Sequence, residues 1–199
     1  MPIGYFADHE LIEELGRGDM GIVYKARDPS RSRLVALKML RSGARSTTDE
    51  LRRFVNEAQI AAWLDHPHVV PIFGLGMHDG QCYIVMKLID GPNLDRKLGE
   101  FGDDPKASAR LVKTLAEAVQ YVHERGVLHL DLKPDNVVID ESGEPHLIDF
   151  GLAQRIPADR ELIHSGAILG MPGYMAPEQA SGQPERVTNE RRHPFAFRD

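Results

Sequence analysis

Residues 129–136, His-Leu-Asp-Leu-Lys-Pro-Asp-Asn, followed by residues 149–151, Asp-Phe-Gly, decide the fold assignment of this chain. Asp131 and Asp149 supply carboxylates, Lys133 a cation and Asn136 an amide. Taken singly, each of these residues is typical of a protein surface or a helix cap. In this order they place a proton acceptor, a cation and two oxygen ligands for a hard metal ion on adjacent loops.

The predicted elements around this stretch form a strand-rich first part and a helical second part. Short β-rich runs bounded by turn residues predict strands at 11–15, 21–27, 33–40, 69–77, 81–89, 137–139 and 146–148. Apolar residues at helical spacing predict helices at 47–64 and 111–126. The Gly-Pro pair at 91–92 marks the boundary between the two parts.

In this order the motifs resemble those of the protein kinases, and Lys133, two residues after Asp131, is similar to the serine/threonine branch of bacterial, eukaryotic-like type. The resemblance covers residues 11–178. It implies an α+β, bilobal protein-kinase-like fold with a small antiparallel-sheet lobe at 1–90. An incomplete helical lobe follows at 91–180, and an irregular polar tail at 181–199.

The resemblance implies catalytic roles for several residues. Asp131 is expected to accept the proton of a substrate hydroxyl, and Lys133 to neutralise charge on the transferred phosphoryl group. Asn136 and Asp149 are expected to bind Mg²⁺, which bridges the phosphates of ATP. Lys38 is expected to bind the α- and β-phosphates.

The residues themselves also point to a pair between Lys38 and Glu57. A lysine at the end of a strand is most often solvated, and alternation places Ala36 and Lys38 on one face. Glu57, however, lies among the apolar positions of the predicted helix 47–64, where an unpaired carboxylate is costly to bury. Glu57 therefore needs a cation, and the resemblance supplies Lys38.

The glycines at 16, 18 and 21 would let backbone amides approach phosphates. This motif is weak by itself, because a glycine-rich hairpin without a ligand has the same pattern. A dinucleotide-binding turn shares it too, but that turn must open a helix, whereas a strand follows here. The resemblance implies an adenine site formed by apolar side chains and by the main chain of two residues: Leu15, Val23, Ala36, Met86, Val138, and the backbone of Lys87 and Ile89.

The composition limits the cellular compartments and the classes of binding partner that are expected for this chain. A net charge of −6 argues against general binding to nucleic acid. The single cysteine, Cys82, cannot form an internal disulfide, and its apolar neighbours predict a core strand position in a reducing compartment. The apolar runs are too short to cross a bilayer, so a cytoplasmic chain without a membrane segment is expected.

Two residues and the segment beyond Glu178 depart from the family pattern. Leu130 replaces an arginine that gathers a phosphorylated activation segment in many kinases, and Met171 replaces a threonine that helps to hold the catalytic groups. Beyond Glu178 the sequence becomes polar and proline-broken, which suggests a truncated domain or a shifted reading frame, and Glu178 loses the distant arginine expected to meet it. The apolar face of 111–122 is then expected to lack cover, so that the chain is unstable or needs a partner.

These observations favour a protein serine/threonine kinase that transfers the γ-phosphate of ATP to protein hydroxyls. The alternative is a catalytically silent nucleotide-binding or scaffolding module, favoured by Met171 and the early end of the resemblance. A small-molecule kinase is a third interpretation, disfavoured by Lys133 and the segment 170–178.

Overall fold

A computed structural model describes residues 2–18, 21–40, 48–150, 154–155 and 172–181. Residues 19–20 of the glycine motif, Thr47, Met171 and the tail 182–199 lie outside the described residues. The chain divides into two compact units, Met1–Asp65 with Val70–Ile89, and His66–Val69 with Asp90–Asp199. None of the described helices is long and apolar enough to span a membrane.

The described part of the first unit contains an antiparallel sheet of six strands in the order β1-β2-β3-β4-β6-β5. The strands are β1 (Gly4–Phe6), β2 (His9–Arg17), β3 (Gly21–Asp28), β4 (Arg33–Leu40), β5 (Ile72–His78) and β6 (Gln81–Lys87). Successive strands along the chain are separated by only two to four residues of sequence, except β4 and β5. Because these hairpins are local, the turn residues fix most of the register.

The sheet buries apolar side chains on both faces. Helix α1 (Thr48–Ala61) packs Phe54 and Ala58 against one face, where Leu40, Cys82 and Ile84 are buried. The other face carries a second cluster, formed by Ala26, Val35, Leu37 and Val85 with Phe6, Leu11, Met39 and Tyr83 packed against it. The burial of Cys82 confirms its predicted place in a core strand.

The second unit combines helices with short strand pairs. Its helices are α2 (Leu98–Gly102), α3 (Pro105–Glu124) and α4 (Pro177–Ala180), and its strands are β7 (Val127–Leu128), β8 (Val137–Ile139), β9 (Pro145–Leu147) and β10 (Gln154–Arg155). Strand β8 pairs with β9, and β10 with β7, both antiparallel. The architecture of the described residues is α+β.

Helix α3 begins and ends with well-defined caps. The Asp104 carboxylate accepts hydrogen bonds from the N–H groups of Lys106 and Ala107 at 2.9 and 3.0 Å, which satisfies two free donors of the first turn. Pro105 suits the first turn because its missing N–H has no partner to lose there. Gly126 follows the helix with a φ of 70°, in the left-handed region.

The apolar face of α3 is covered, contrary to the sequence-based expectation. Leu111, Leu115, Val119 and Val122 are at most 9% exposed. The helix contacts α2, β7 and β9, and these local elements of the second unit contribute to that cover. The prediction that this face lacks cover was wrong, because the pattern alone does not show what the neighbouring short strands bury.

The turn between β8 and β9 is organised by Asp140. Its Oδ1 accepts from the Ser142 hydroxyl and from the N–H groups of Ser142 and Glu144, and its Oδ2 lies 2.8 Å from His146 Nε2. These hydrogen bonds, that of the Ser142 hydroxyl first, hold the pKa of Asp140 well below its usual range. The ionised carboxylate thereby fixes the hairpin that leads into Asp149.

Candidate active site

The Lys38 ammonium and the Glu57 carboxylate form a buried ion pair in the first unit. Lys38 Nζ lies 2.7 and 2.9 Å from the two Glu57 oxygens, and the side chains are only 7% and 3% exposed. Lys38 comes from β4 and Glu57 from α1, so the pair joins the helix to the sheet. The pairing that the sequence predicts is present.

The residues around Lys38 share its face of the sheet. In the antiparallel register Val23 lies opposite Lys38, and Ala36 opposite Met86. Directly opposed residues point to the same face, and so do residues two apart on one strand. Val23, Ala36, Lys38 and Met86 are therefore on one face, which gives an ammonium group an apolar surround.

The three glycines of the loop differ in what surrounds them. A Cβ added to Gly16 or Gly18 would meet nothing within 4 Å among the described residues, whereas one added to Gly21 would collide with the Met39 carbonyl oxygen. Gly21 is thus required by packing against β4. Packing does not explain Gly16 and Gly18, whose open surroundings suit the close approach of a ligand to the backbone.

The remaining predicted adenine contacts are spread over both units. Leu15 is 45% exposed in the first unit, and Val138 lies in β8 of the second. The Lys87 N–H donates to the Pro71 carbonyl at 3.0 Å, so this N–H already has a partner within the first unit. Ile89 ends the first unit.

In the second unit the Asp131 carboxylate is held by two side chains. Asp131 Oδ2 accepts from Asn136 Nδ2 at 2.9 Å and lies 2.9 Å from Lys133 Nζ. Asn136 Nδ2 also donates to the Asp131 carbonyl at 2.8 Å. The side chain of Asp131 is 14% exposed. Because Oδ2 receives both contacts, Oδ1 is the oxygen left to accept a proton from a substrate.

Asn136 and Asp149 are brought together by main-chain bonding. The Asn136 carbonyl accepts from the Ile148 N–H at 3.0 Å, which sets Asp149 next to the loop that carries Asn136. Since Asn136 Nδ2 serves Asp131, its Oδ1 remains as an acceptor, and Asp149 adds a carboxylate. An amide oxygen and a carboxylate fit Mg²⁺, which binds few protein oxygens when phosphates and water complete its shell.

His129 supports this loop, and sequence reasoning did not single it out. The ring is 1% exposed and stacks at a tilt against Phe150, with 4.7 Å between centroids. His129 Nδ1 accepts from the Asp131 N–H at 3.4 Å. Its position at the start of the 129–136 motif was a usable signal, because a buried histidine needs partners.

Segment 172–181 makes a contact with the loop 129–136 that no sequence pattern predicts. Gln179 Nε2 donates to the Leu130 carbonyl at 2.8 Å across 49 residues. The neighbouring Glu178 has one carboxylate oxygen, Oε1, that is buried without a hydrogen-bond partner among the described residues.

The candidate residues thus form one group in each unit. The first unit gathers Lys38, Glu57, Val23, Ala36 and Met86 about the sheet face, with the glycine turn between β2 and β3. The second unit gathers Asp131, Lys133, Asn136 and Asp149 about the loop 129–136.

Comparison with known proteins gives a consistent result. The profile of the protein kinase domain family matches residues 9–190. The serine/threonine-protein kinase PknD of Mycobacterium tuberculosis (strain CDC 1551 / Oshkosh) is 37% identical over 178 residues, which cover 89% of this chain and 27% of PknD. Serine/threonine-protein kinase PrkC of Bacillus subtilis (strain 168) is 35% identical over 175 residues, 87% of this chain and 27% of PrkC.

A solved structure described as the PpkA-294 apo form superposes with a TM-score of 0.67 at 30% sequence identity. The match covers 76% of this chain and 61% of that chain. The chain spans about a quarter of the length of the curated relatives PknD and PrkC, 27% in each case. The predicted fold class, α+β of the bilobal protein-kinase type, is confirmed by this structural likeness.

Proposed function

The chain belongs to the protein kinase domain family, and from this premise we propose that it is a serine/threonine kinase that transfers the γ-phosphate of ATP to protein hydroxyls. The observation that carries the proposal is the Asp131 carboxylate, oriented by Asn136 and Lys133 with one oxygen left for a substrate proton. The relatives PknD and PrkC are named as serine/threonine-protein kinases, which agrees with the proposal.

Asp131 is the proposed general base. As the serine or threonine oxygen attacks the γ-phosphorus, the bond from that phosphorus to the bridging oxygen breaks and ADP leaves. The hydroxyl proton passes to Asp131 Oδ1. Lys133, within reach of the same carboxylate, balances the negative charge on the phosphoryl group in transfer.

Asn136 and Asp149 are the proposed ligands of Mg²⁺. With Mg²⁺ held there, the site would gain positive charge that offsets the negative charge of the phosphates during transfer. Asn136 is proposed to serve two groups at once, because its Nδ2 donates to Asp131 and its Oδ1 is left to bind the ion. The Asn136 side chain therefore links the proposed base, Asp131, to the proposed metal site.

Residues of the first unit are proposed to bind the nucleotide. Lys38, fixed by Glu57, binds the α- and β-phosphates, and the backbone at Gly16, Gly18 and Gly21 follows the phosphate chain. The proposed adenine contacts are Leu15, Val23, Ala36 and Met86 of the first unit and Val138 of the second, with the Lys87 carbonyl and the Ile89 main chain. We accordingly propose residues 1–90 as the nucleotide-binding lobe and 91–180 as the catalytic lobe. The cytoplasmic location stays a prediction.

Purified chain with labelled ATP and a general protein substrate tests the proposal, with Asp131→Asn as the matched control. Asparagine keeps the shape of the side chain but is a far weaker proton acceptor, so we expect label on serine or threonine from the wild type and a loss of at least about 100-fold in the variant. Equal background from both would contradict the proposal. Thermal stabilisation by ATP without transfer would instead support the silent nucleotide-binding module.

A further inference from the structure

The peptide unit that joins Leu130 to Asp131 is held at both of its polar ends. The Leu130 carbonyl accepts from Gln179 Nε2 at 2.8 Å, and the Asp131 N–H donates to His129 Nδ1 at 3.4 Å. Rotation of this peptide plane would therefore break at least one of two hydrogen bonds.

Leu130 needs such support because of its backbone conformation. Its φ is 65°, in the left-handed region that a bulky side chain rarely adopts. Such a conformation is unfavourable for a residue other than glycine, and it persists only when its surroundings fix it. The hydrogen bond from Gln179 is one of the contacts that fix it.

The same conformation sets the direction of the Asp131 side chain. The plane of the Leu130–Asp131 peptide determines where the Asp131 Cα–Cβ bond points, and Asn136 and Lys133 then hold the carboxylate at 2.9 Å each. If the Leu130 carbonyl is released and φ relaxes to a negative value, Asp131 leaves this geometry. A misplacement of about 1 Å in a reacting group can cost about 100-fold in rate.

Gln179 reaches the loop from a distant part of the chain. It lies in the short helix α4 (Pro177–Ala180), which follows the buried Met175 in the sequence, and Gln179 itself is partly buried. The contact spans 49 residues of sequence. The placement of segment 172–181 is therefore linked, through one amide, to the backbone beside the catalytic carboxylate.

We propose that Gln179 is a positioning residue, whose side-chain amide holds the Leu130 carbonyl and so couples segment 172–181 to the orientation of Asp131. This inference rests on the proposed function, in which Asp131 is the base. When segment 172–181 is docked, the Asp131 carboxylate is aligned. When it is displaced, Leu130 loses a hydrogen bond and the carboxylate loses its alignment.

The experiment compares the whole chain with three variants. Gln179→Met keeps an unbranched side chain without a donor, and Gln179→Lys restores a donor of sufficient length. Gln120→Met removes an exposed glutamine that donates to Glu124 on α3, and serves as the control. The readouts are kcat, KM for ATP, melting temperature and hydrogen–deuterium exchange of the amides in residues 129–136.

For Gln179→Met we expect kcat to fall about 10- to 100-fold with KM for ATP changed less than about twofold, because misplacement affects the transition state and not nucleotide binding. Exchange in residues 129–136 is expected to become faster. Gln179→Lys is expected to recover most of both losses, and Gln120→Met to match the wild type.

Unchanged kcat and unchanged exchange in Gln179→Met would overturn the inference. Equal losses in Gln179→Met and Gln179→Lys that follow the melting temperature would overturn it too, since a purely structural role predicts that result. If Gln179→Met does not fold, Gln179→Leu replaces it. If the wild type transfers no phosphate, the proposed function fails, and the exchange rates of Gln179→Met against Gln179→Lys still decide whether Gln179 holds the loop.

Discussion

At the scale of single residues, the cost of burying charge explains the pair of Lys38 and Glu57. Their side chains are 7% and 3% exposed, and removal of either from water costs several kcal/mol. The pair offsets much of this cost because the nitrogen lies 2.7 and 2.9 Å from the two oxygens. The position of Glu57 among apolar helix residues predicted that it needs a cation, and the family resemblance identified that cation as Lys38.

Glu57→Gln is expected to lower the free energy of unfolding by about 3–5 kcal/mol, because it leaves the Lys38 charge buried beside a neutral amide. The double variant Lys38→Met with Glu57→Leu removes both charges and is expected to recover most of this loss. Urea titrations measure both effects. A double variant as unstable as Glu57→Gln would show that the ion pair is not the cause.

His66 gives a pH dependence whose direction follows from its surroundings. Its ring lies 4.8 Å from that of Tyr121, and its Nδ1 accepts from the His68 N–H at 3.2 Å. Burial first, then repulsion from His68 and Arg125, holds the pKa of His66 below its usual value, with Glu117 partly opposing. His66 is therefore protonated at a lower pH in the folded chain than in the unfolded chain, where a histidine takes up a proton at about pH 6.5.

Stability is accordingly expected to fall as the pH drops through about 6.5, since the unfolded state then binds more protons than the folded state. His66→Gln keeps an acceptor and is expected to flatten this dependence between about pH 7.5 and about pH 5.5. Melting temperatures across that range measure it, with the more exposed His78→Gln as the control. An unaltered slope in His66→Gln would contradict the account.

At the scale of elements, the glycines near the connection of β2 and β3 are of two kinds. Packing requires one of them to be glycine, but packing does not explain the other two. Gly21 lies opposite Leu40, and an added Cβ would collide with the Met39 carbonyl. Gly16 and Gly18 have open space around the same position. Sequence spacing predicted all three as phosphate-loop residues, and the sheet register distinguishes them.

Gly16→Ala and Gly18→Ala are expected to weaken ATP binding while the urea midpoint stays at the wild-type value. Gly21→Ala is expected to lose about 1–3 kcal/mol of stability, because a methyl group enters filled space. Calorimetric titration with ATP and urea denaturation, run on all three variants, separate the two effects. Loss of stability in Gly16→Ala or Gly18→Ala without a change in ATP affinity would refute this division.

The sequence predicted strands that are marked by alternation or by flanking turn residues better than strands that lack these signals. The predicted strands 11–15, 21–27 and 33–40 correspond to β2, β3 and β4, because alternation and turn residues define hairpins. The predicted strand 69–77 begins late, at Ile72, since the residues before Val70 belong to the second unit, where Val69 bridges to Leu147. Strands β1, β7 and β10 are two or three residues long and depend on tertiary contacts that no local pattern carries.

At the scale of the whole molecule, each of the two units holds part of the proposed active-site residues. The motifs predicted which residues belong to each part, because spacing along the chain limits which loops can be neighbours. They did not predict the hydrogen bond from Gln179 to Leu130, whose partners are 49 residues apart. The sequence also led to the wrong expectation that the apolar face of α3 lacks cover, since Leu115 on this face is only 1% exposed.

The most direct test of the account is calorimetric measurement of ATP affinity with and without Mg²⁺. The wild type is compared with Asp149→Asn in the second unit and with Lys38→Met/Glu57→Leu in the first. We predict that Mg²⁺ strengthens binding to the wild type, that Asp149→Asn loses this strengthening, and that the double variant binds about 10- to 100-fold more weakly in Mg²⁺. Wild-type affinity and Mg²⁺ dependence in either variant would contradict the account.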